Sequence, residues 1–196
     1  MKNNKKIVIA TNNPGKIKEI KEILRNYEIV SLKEINCKID VIEDQESFEG
    51  NAKKKAKEIS EVVKMPCIAD DSGLCIDKLQ GWPGIYTARF LGEEATQEQR
   101  NSYILEKMKK FKDDERKARV KCCMVYYEDG KYIIGKGEIE GKIANEKRGK
   151  NGFGFDEIFE INNGKTFAEL SSEEKNEISH RKKALQDLKT KLKKYE

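Results

Sequence analysis

Apolar residues fall into two patterns along the chain, short runs and stripes spaced three and four apart, and each predicts a different element. Runs and alternations rich in Val, Ile, Cys and Tyr predict strands at about 6–10, 28–31, 37–42, 66–70, 74–77, 118–127 and 131–140. Helical spacing covers about 14–25, 47–63, 96–111 and 172–194. Strands and helices alternate early. Later, the runs 118–127 and 131–140 are joined through Glu128-Asp129-Gly130 and read as an antiparallel hairpin. The expected fold is therefore α/β, with a mixed, twisted sheet flanked by helices.

With 196 residues the chain can bury one sizeable core, and no repeat or low-complexity linker divides it. A single domain over 1–196 is expected, with room for two lobes around a cleft. Forty Lys and Arg against thirty-five Asp and Glu give a net charge of +5, spread over many places. That balance suits a small polyanion and gives no reason to expect a nucleic-acid partner. The densest basic clusters, Lys53 to Lys57 and Lys189 to Lys194, sit on helical patterns as solvated faces. No apolar run is long enough to span a membrane and none resembles a signal peptide, so a cytoplasmic protein without a membrane partner is expected. The five cysteines include no C-x-x-C pair and have only His180 to help bind zinc, so they are expected to be free and largely buried.

The first strand, Ile7 to Ala10, runs into Thr11-Asn12-Asn13-Pro14-Gly15-Lys16 and then into an amphipathic stripe of Ile17, Ile20, Ile23 and Leu24. Asn13 suits a helix N-cap and Pro14 the first helical position, which puts Lys16 in the first turn. There the free N–H groups and the helix dipole already favour an anion, and the lysine adds a full charge. A Walker A loop is excluded, because Ala10 stands where Gly is needed and Ile17 where Ser or Thr is needed. Taken alone, the segment also fits an ordinary connection whose polar residues only cap the helix.

A second candidate is Asp70-Asp71-Ser72-Gly73, two adjacent carboxylates where the run Cys67-Ile68-Ala69 is expected to end. Neighbours on an extended chain point to opposite faces, so the two need not share a role, and Asp71 is taken as the reactive one. Oxygen donors in this number suit Mg²⁺. Glu43 lies in an acidic cluster just before the helix that carries Lys55, and could share one ion with Asp71 while Lys55 reaches phosphates. Gly152-Phe153-Gly154-Phe155-Asp156 places aromatic faces among glycines, a composition able to stack on a nucleobase and also that of a core strand with a bulge. On the last helix Arg181 falls inside the apolar stripe of Ile178, Leu185, Leu188 and Leu192, where it needs an anion or acid. Ser179 suits a second N-cap, and a break there would put His180 and Arg181 in a fresh first turn facing a ligand.

Together these segments resemble the inosine triphosphate pyrophosphatase family, the XTP/dITP diphosphatases. The similarity runs from Ile7 to about Leu192. It rests on Thr11 to Lys16, Ser47-Phe48 with Asn51-Ala52 and Lys55-Ala56, Ala69 to Leu74, Pro83 to Tyr86 with Ala88-Arg89, Gly152 to Asp156, and Glu174-Lys175-Asn176 with Ser179-His180-Arg181. The resemblance implies a homodimer with two lobes around a substrate cleft. It also implies Mg²⁺-dependent hydrolysis of ITP, dITP and XTP to the monophosphate and pyrophosphate. Carried onto this chain, Thr11, Asn12, Asn13, Pro14, Gly15 and Lys16 would hold phosphates, and Glu43 and Asp71 the metal, with Asp71 also the general base. Lys55, Ser72, Lys175, His180 and Arg181 would contact the nucleotide, and Phe153, Gly154, Phe155 and Asp156 would take the base. Three departures from the family pattern are Asn12 for Gly, Gly50 for an acid and Glu157 for Pro. Two other readings stay open: a related pyrophosphatase acting on other modified triphosphates, and a nucleotide-binding protein without catalysis.

Overall fold

The computed structural model describes residues 5–195. Six strands hydrogen-bond in the order β2-β1-β3-β4-β5-β6: β1 Lys6–Ile9, β2 Glu28–Ser31, β3 Cys67–Ile76, β4 Lys117–Glu128, β5 Lys131–Ile143 and β6 Phe159–Glu160. The helices are α1 Pro14–Ile23, α2 Phe48–Val63, α3 Gln97–Met108, α4 Ser172–Ile178 and α5 His180–Tyr195. β1 is parallel to β2, with Ile7 opposite Ile29, and parallel to β3, with Val8 opposite Cys67. β5 and β6 are antiparallel. The sheet is mixed, as expected. The β4–β5 hairpin closes through Asp129 and Gly130, both at positive φ (46° and 81°), the conformation a two-residue turn needs to match strand twist.

The chain forms two compact units. One comprises the residues up to Asp71, Cys122–Gly137 and the residues from Arg181, and the other Ser72–Lys121 and Glu138–His180. In the first, β1 is covered on both faces. Ile7 and Ile9 join Ile20, Leu24, Tyr126, Leu185 and Leu188 in one cluster, while Val8 and Ala10 join Ala52, Ala56, Ile59 and Val125 in another. That double burial is why β1 reads as an unbroken apolar run. Gly135 lets α5 lie close against β5, since a Cβ there would stand 2.2 Å from the Ala184 carbonyl oxygen. The second unit closes around Leu74, Ile76, Ile104, Met108, Phe159 and Phe167. Its buried Arg116 donates to the carbonyls of Ile143 (2.7 Å), Met108 (2.6 Å) and Ala144.

Two expectations are corrected. Residues 37–42 form no strand; Cys37, Ile39 and Val41 pack against the core by alternation, but the segment joins no ladder. The runs at 66–70 and 74–77 are a single strand, β3, which continues through Ser72 and Gly73 because it lies between β1 and β4 with buried residues on both sides of that dipeptide. Asp70 and Asp71 therefore lie in mid-strand, not at a strand end. The helical pattern at 172–194 is two helices, and the break falls at Ser179, the position the sequence offered for it, with φ of −62° and ψ of 146° extended. Ser171 and Glu174 cap the first of them reciprocally.

Candidate active site

In the first unit the polar turn after β1 is organised by its own side chains. Asn13 Oδ1 accepts from the N–H groups of Gly15 (2.9 Å) and Lys16 (3.3 Å), and Thr11 Oγ1 accepts from the N–H of Asn13 (3.2 Å). Pro14 takes the first helical position, where its missing N–H costs nothing. Asn12, Pro14 and Gly15 are exposed, and Lys16 is partly buried. This local cap is the one that sequence chemistry predicts.

Adjacent carboxylates on β3 have different partners, as alternation along a strand requires. Asp70 Oδ2 receives Lys16 Nζ at 2.7 Å and lies 3.7 Å from Arg181 Nε. Burial favours the protonated acid, but Lys16, Arg181 and Lys55 outweigh it and hold the Asp70 carboxyl below its ordinary value. The Asp70 backbone carbonyl accepts Lys55 Nζ at 3.1 Å, and Lys55 is also ion-paired to Glu43. Burial works against the Lys55 charge, yet Glu43, with Asp70 and Asp71, keeps its pKa above the usual lysine value. Asp71 Oδ2 instead accepts Asn51 Nδ2 at 2.9 Å, and Asn51 Oδ1 in turn accepts the N–H of Gln45. Arg181, 5% exposed, meets the demand for an acid inside an apolar stripe: Glu19 Oε2 is 3.3 Å from its Nη1. Burial opposes its charge, but Asp70 and Glu19 raise its pKa above the ordinary value.

The acidic donors here are carboxylate oxygens. Among the described residues no group of three or more His, Cys, Asp or Glu side chains could hold a metal. Such a donor set fits Mg²⁺, which takes one or two carboxylates and completes its shell with water and substrate phosphates. All five cysteines are free; four are buried, with burial pushing Cys67 up to about 12 and Cys123 up to about 11, far from the reactive thiolate range.

In the second unit, Gly152 to Asp156 form a tight turn in which Asp156 Oδ2 accepts the Phe153 N–H at 2.7 Å and pairs with Lys175. Gly152 has φ +80°, and a Cβ on it would stand 2.0 Å from Asp156 Oδ2, so only glycine fits beneath that carboxylate. Phe153 is 51% exposed, with Lys175 Nζ 4.4 Å from its ring centroid. Phe155 packs into the core and lies nearly parallel to Phe90, 6.2 Å between centroids. The ring offered for stacking is therefore that of Phe153. Ser72 lies on β3, and His180 is buried at the start of α5 because the helix breaks just before it.

The structure thus gathers Lys16, Lys55, Glu43, Asp71 and Arg181 with the turn in one unit, and Phe153 to Asp156 with Lys175 in the other. Sequence reasoning assigned no task to Glu19 or Asn51, and set Asp70 apart from the reactive Asp71 without naming its cations. Glu19 carried no local signal, since the cation that accounts for its burial, Arg181, lies on a different helix.

Residues 7–191 match the Ham1 family. The dITP/XTP pyrophosphatase of Clostridium perfringens (strain 13 / Type A) is 46% identical over 199 residues, covering 96% of this chain and 98% of that protein. That of Bacillus subtilis (strain 168) is 44% identical over 190 residues, covering 94% and 95%. Among solved structures, the Staphylococcus aureus Ham1 protein superposes with a TM-score of 0.89 at 38% identity, covering 98% of this chain and all of that one (100%).

Proposed function

The chain belongs to the Ham1 family, and from that premise we propose that it hydrolyses ITP, dITP and XTP to the nucleoside monophosphate and pyrophosphate with Mg²⁺. It is an enzyme, a nucleoside-triphosphate pyrophosphatase of the hydrolases that act on acid anhydrides. The observation that carries the reading is the split along β3. Asp70 is committed to Lys16 and Arg181, while Asp71 has the Asn51 amide as its partner instead.

Glu43 and Asp71 would hold the ion, which when bound polarises phosphate and lowers the pKa of water. Asp71 would orient the attacking water and accept its proton as the oxygen bonds to the α-phosphorus and pyrophosphate departs. Asn51, donating to one carboxylate oxygen, fixes the direction of the other. Lys16 and Lys55 would meet the charge on the phosphoryl oxygens, with Arg181 behind them on Asp70. The turn Thr11 to Lys16 would hold phosphates with its exposed backbone, since the Asn13 side chain is occupied as the cap. Phe153 would stack on the purine, with Gly154, Phe155, Asp156, Lys175 and His180 around it. A donor aimed at the 6-keto oxygen gains a hydrogen bond that the 6-amino group of adenine cannot accept, a discrimination of about 1–3 kcal/mol. The same reading expects a cytoplasmic homodimer.

Pyrophosphate release measured across ITP, dITP, XTP, GTP, ATP and the pyrimidine triphosphates tests the reading. The expected result is turnover of the 6-keto purines with Mg²⁺ and loss of it in EDTA. Preference for a pyrimidine triphosphate, binding without release, or restoration by Zn²⁺ alone overturns it.

A further inference from the structure

One buried amide of α3 lies outside the chemistry above. Asn101 is 1% exposed, and each of its polar atoms is engaged. Its Nδ2 donates to the Gly154 carbonyl at 3.1 Å and reaches Glu157 Oε2 at 3.4 Å, while its Oδ1 accepts Gln97 Nε2 at 2.9 Å. A buried amide that loses such bonds retains their desolvation cost, so this arrangement resists displacement. The neighbouring helical turn adds a second attachment, because Lys147, in the segment leading to the aromatic turn, pairs with Glu98 and donates to Ser102 Oγ at 2.9 Å.

Gly154 itself sets nothing by packing. Its φ is +66°, and no atom lies within 4 Å of where a Cβ would be. The Gly154 carbonyl is one end of the peptide between Gly154 and Phe155, and Asn101 holds that end toward α3. In a planar trans peptide the N–H points opposite to the C=O. With the carbonyl turned toward α3, the Phe155 N–H points the opposite way, away from Asn101.

We propose that Asn101 is a positioning residue for base selection, orienting the Gly154–Phe155 peptide so that its N–H meets a 6-keto purine as a donor. The inference rests on the proposed seating of the base at Phe153 to Asp156. A 6-keto oxygen accepts from that N–H, whereas a 6-amino group presents donor to donor. Glu157 enters as the second acceptor on the same amide and is subordinate to Gly154, being the longer contact.

The test compares Asn101→Asp, which keeps the size but faces the Gly154 carbonyl with a carboxylate, and Asn101→Ala, which removes the amide without adding charge. The expected result is a rise of about tenfold in KM for ITP, kcat within about twofold, and a fall in the ITP-to-ATP ratio of kcat/KM, since one oriented hydrogen bond is lost. Inhibition by free pyrophosphate, which has no base, is expected to be unchanged. Equal weakening of ITP and pyrophosphate, or an unchanged ITP-to-ATP ratio, overturns the proposal. Recovery of the KM in Asn101→Asp combined with Glu157→Gln also overturns it, because that pairing restores a hydrogen bond between positions 101 and 157, now donated by the new amide at position 157, and none to Gly154. Phe153→Ala separates the two readings: if it raises KM for ITP and Asn101→Asp does not, only the positioning role fails, whereas if neither does, the seating of the base fails.

Discussion

Replacing Asp70 by Asn keeps the shape of the side chain and removes its charge, and the loss falls on two cations. Asp70 is 4% exposed, with Lys16 Nζ at 2.7 Å and Arg181 Nε at 3.7 Å. Removing one partner of a buried ion pair costs about 3–5 kcal/mol. The amide oxygen of Asn can still accept from Lys16, and Glu19 stays 3.3 Å from Arg181, so the expected loss is at the lower end, about 3 kcal/mol. In a chain of 196 residues that corresponds to a melting midpoint about 6–12 °C lower. The pH dependence has a definite sign. Because the folded carboxyl titrates below its ordinary value of 3.8, its contribution is complete above that value and is lost as the pH falls toward the folded pKa. The gap between wild type and Asp70→Asn is therefore constant above about pH 5 and narrows on acidification. Urea titrations followed by circular dichroism, repeated between about pH 7 and pH 3, read it directly. A gap under about 0.5 kcal/mol at neutral pH, or one that widens in acid, refutes the assignment.

Asp71→Asn is expected to lose at least about a hundredfold in kcat while keeping its melting midpoint, since the residue loses its proton-accepting charge but can still accept from Asn51. Steady-state kinetics check this, and near-normal turnover contradicts the role. Phe153→Ala removes stacking worth about 1–3 kcal/mol and so raises KM for ITP by about 5–150-fold with a smaller effect on pyrophosphate inhibition. Gly152→Ala places a methyl 2.0 Å from Asp156 Oδ2 and breaks the 2.7 Å bond to Phe153 N–H, so KM for ITP is expected to rise with little change in pyrophosphate inhibition. A wild-type KM in that variant means the turn reorganises at no cost to binding.

What the sequence disclosed divides by range of interaction. The Asn13 cap and the Asp129-Gly130 turn are local chemistry, and each stands where its residues put it. The doubly covered β1 is equally plain, because burial on both faces leaves an unbroken apolar run. Alternation at 37, 39 and 41 reports burial without naming a partner strand, which is why it mimics a strand there. Ser72-Gly73 has the composition of a turn, and only neighbours far along the chain hold it extended. For Arg181 the apolar stripe called for an acid but could not say which. Glu19 supplies it from 162 residues away. Asn101 had no local signal at all, since its partner carbonyl lies 53 residues on.

The place of α5 in the first unit has a consequence for synthesis. Ala184, Leu185, Leu188 and Leu192 belong to the same cluster as Ile7, Ile9, Ile20 and Leu24, so residues made early wait for partners made much later. At roughly 5–20 residues per second, the interval of about 180 residues lasts roughly 10–40 s. Through that time the cluster around β1 and α1 lacks its α5 side on the nascent chain, a target for holding chaperones, although every segment of the second unit has already been made. Translation that stalls before Ala184 releases a product whose polar turn after β1 has its own cap but no wall of leucines behind it.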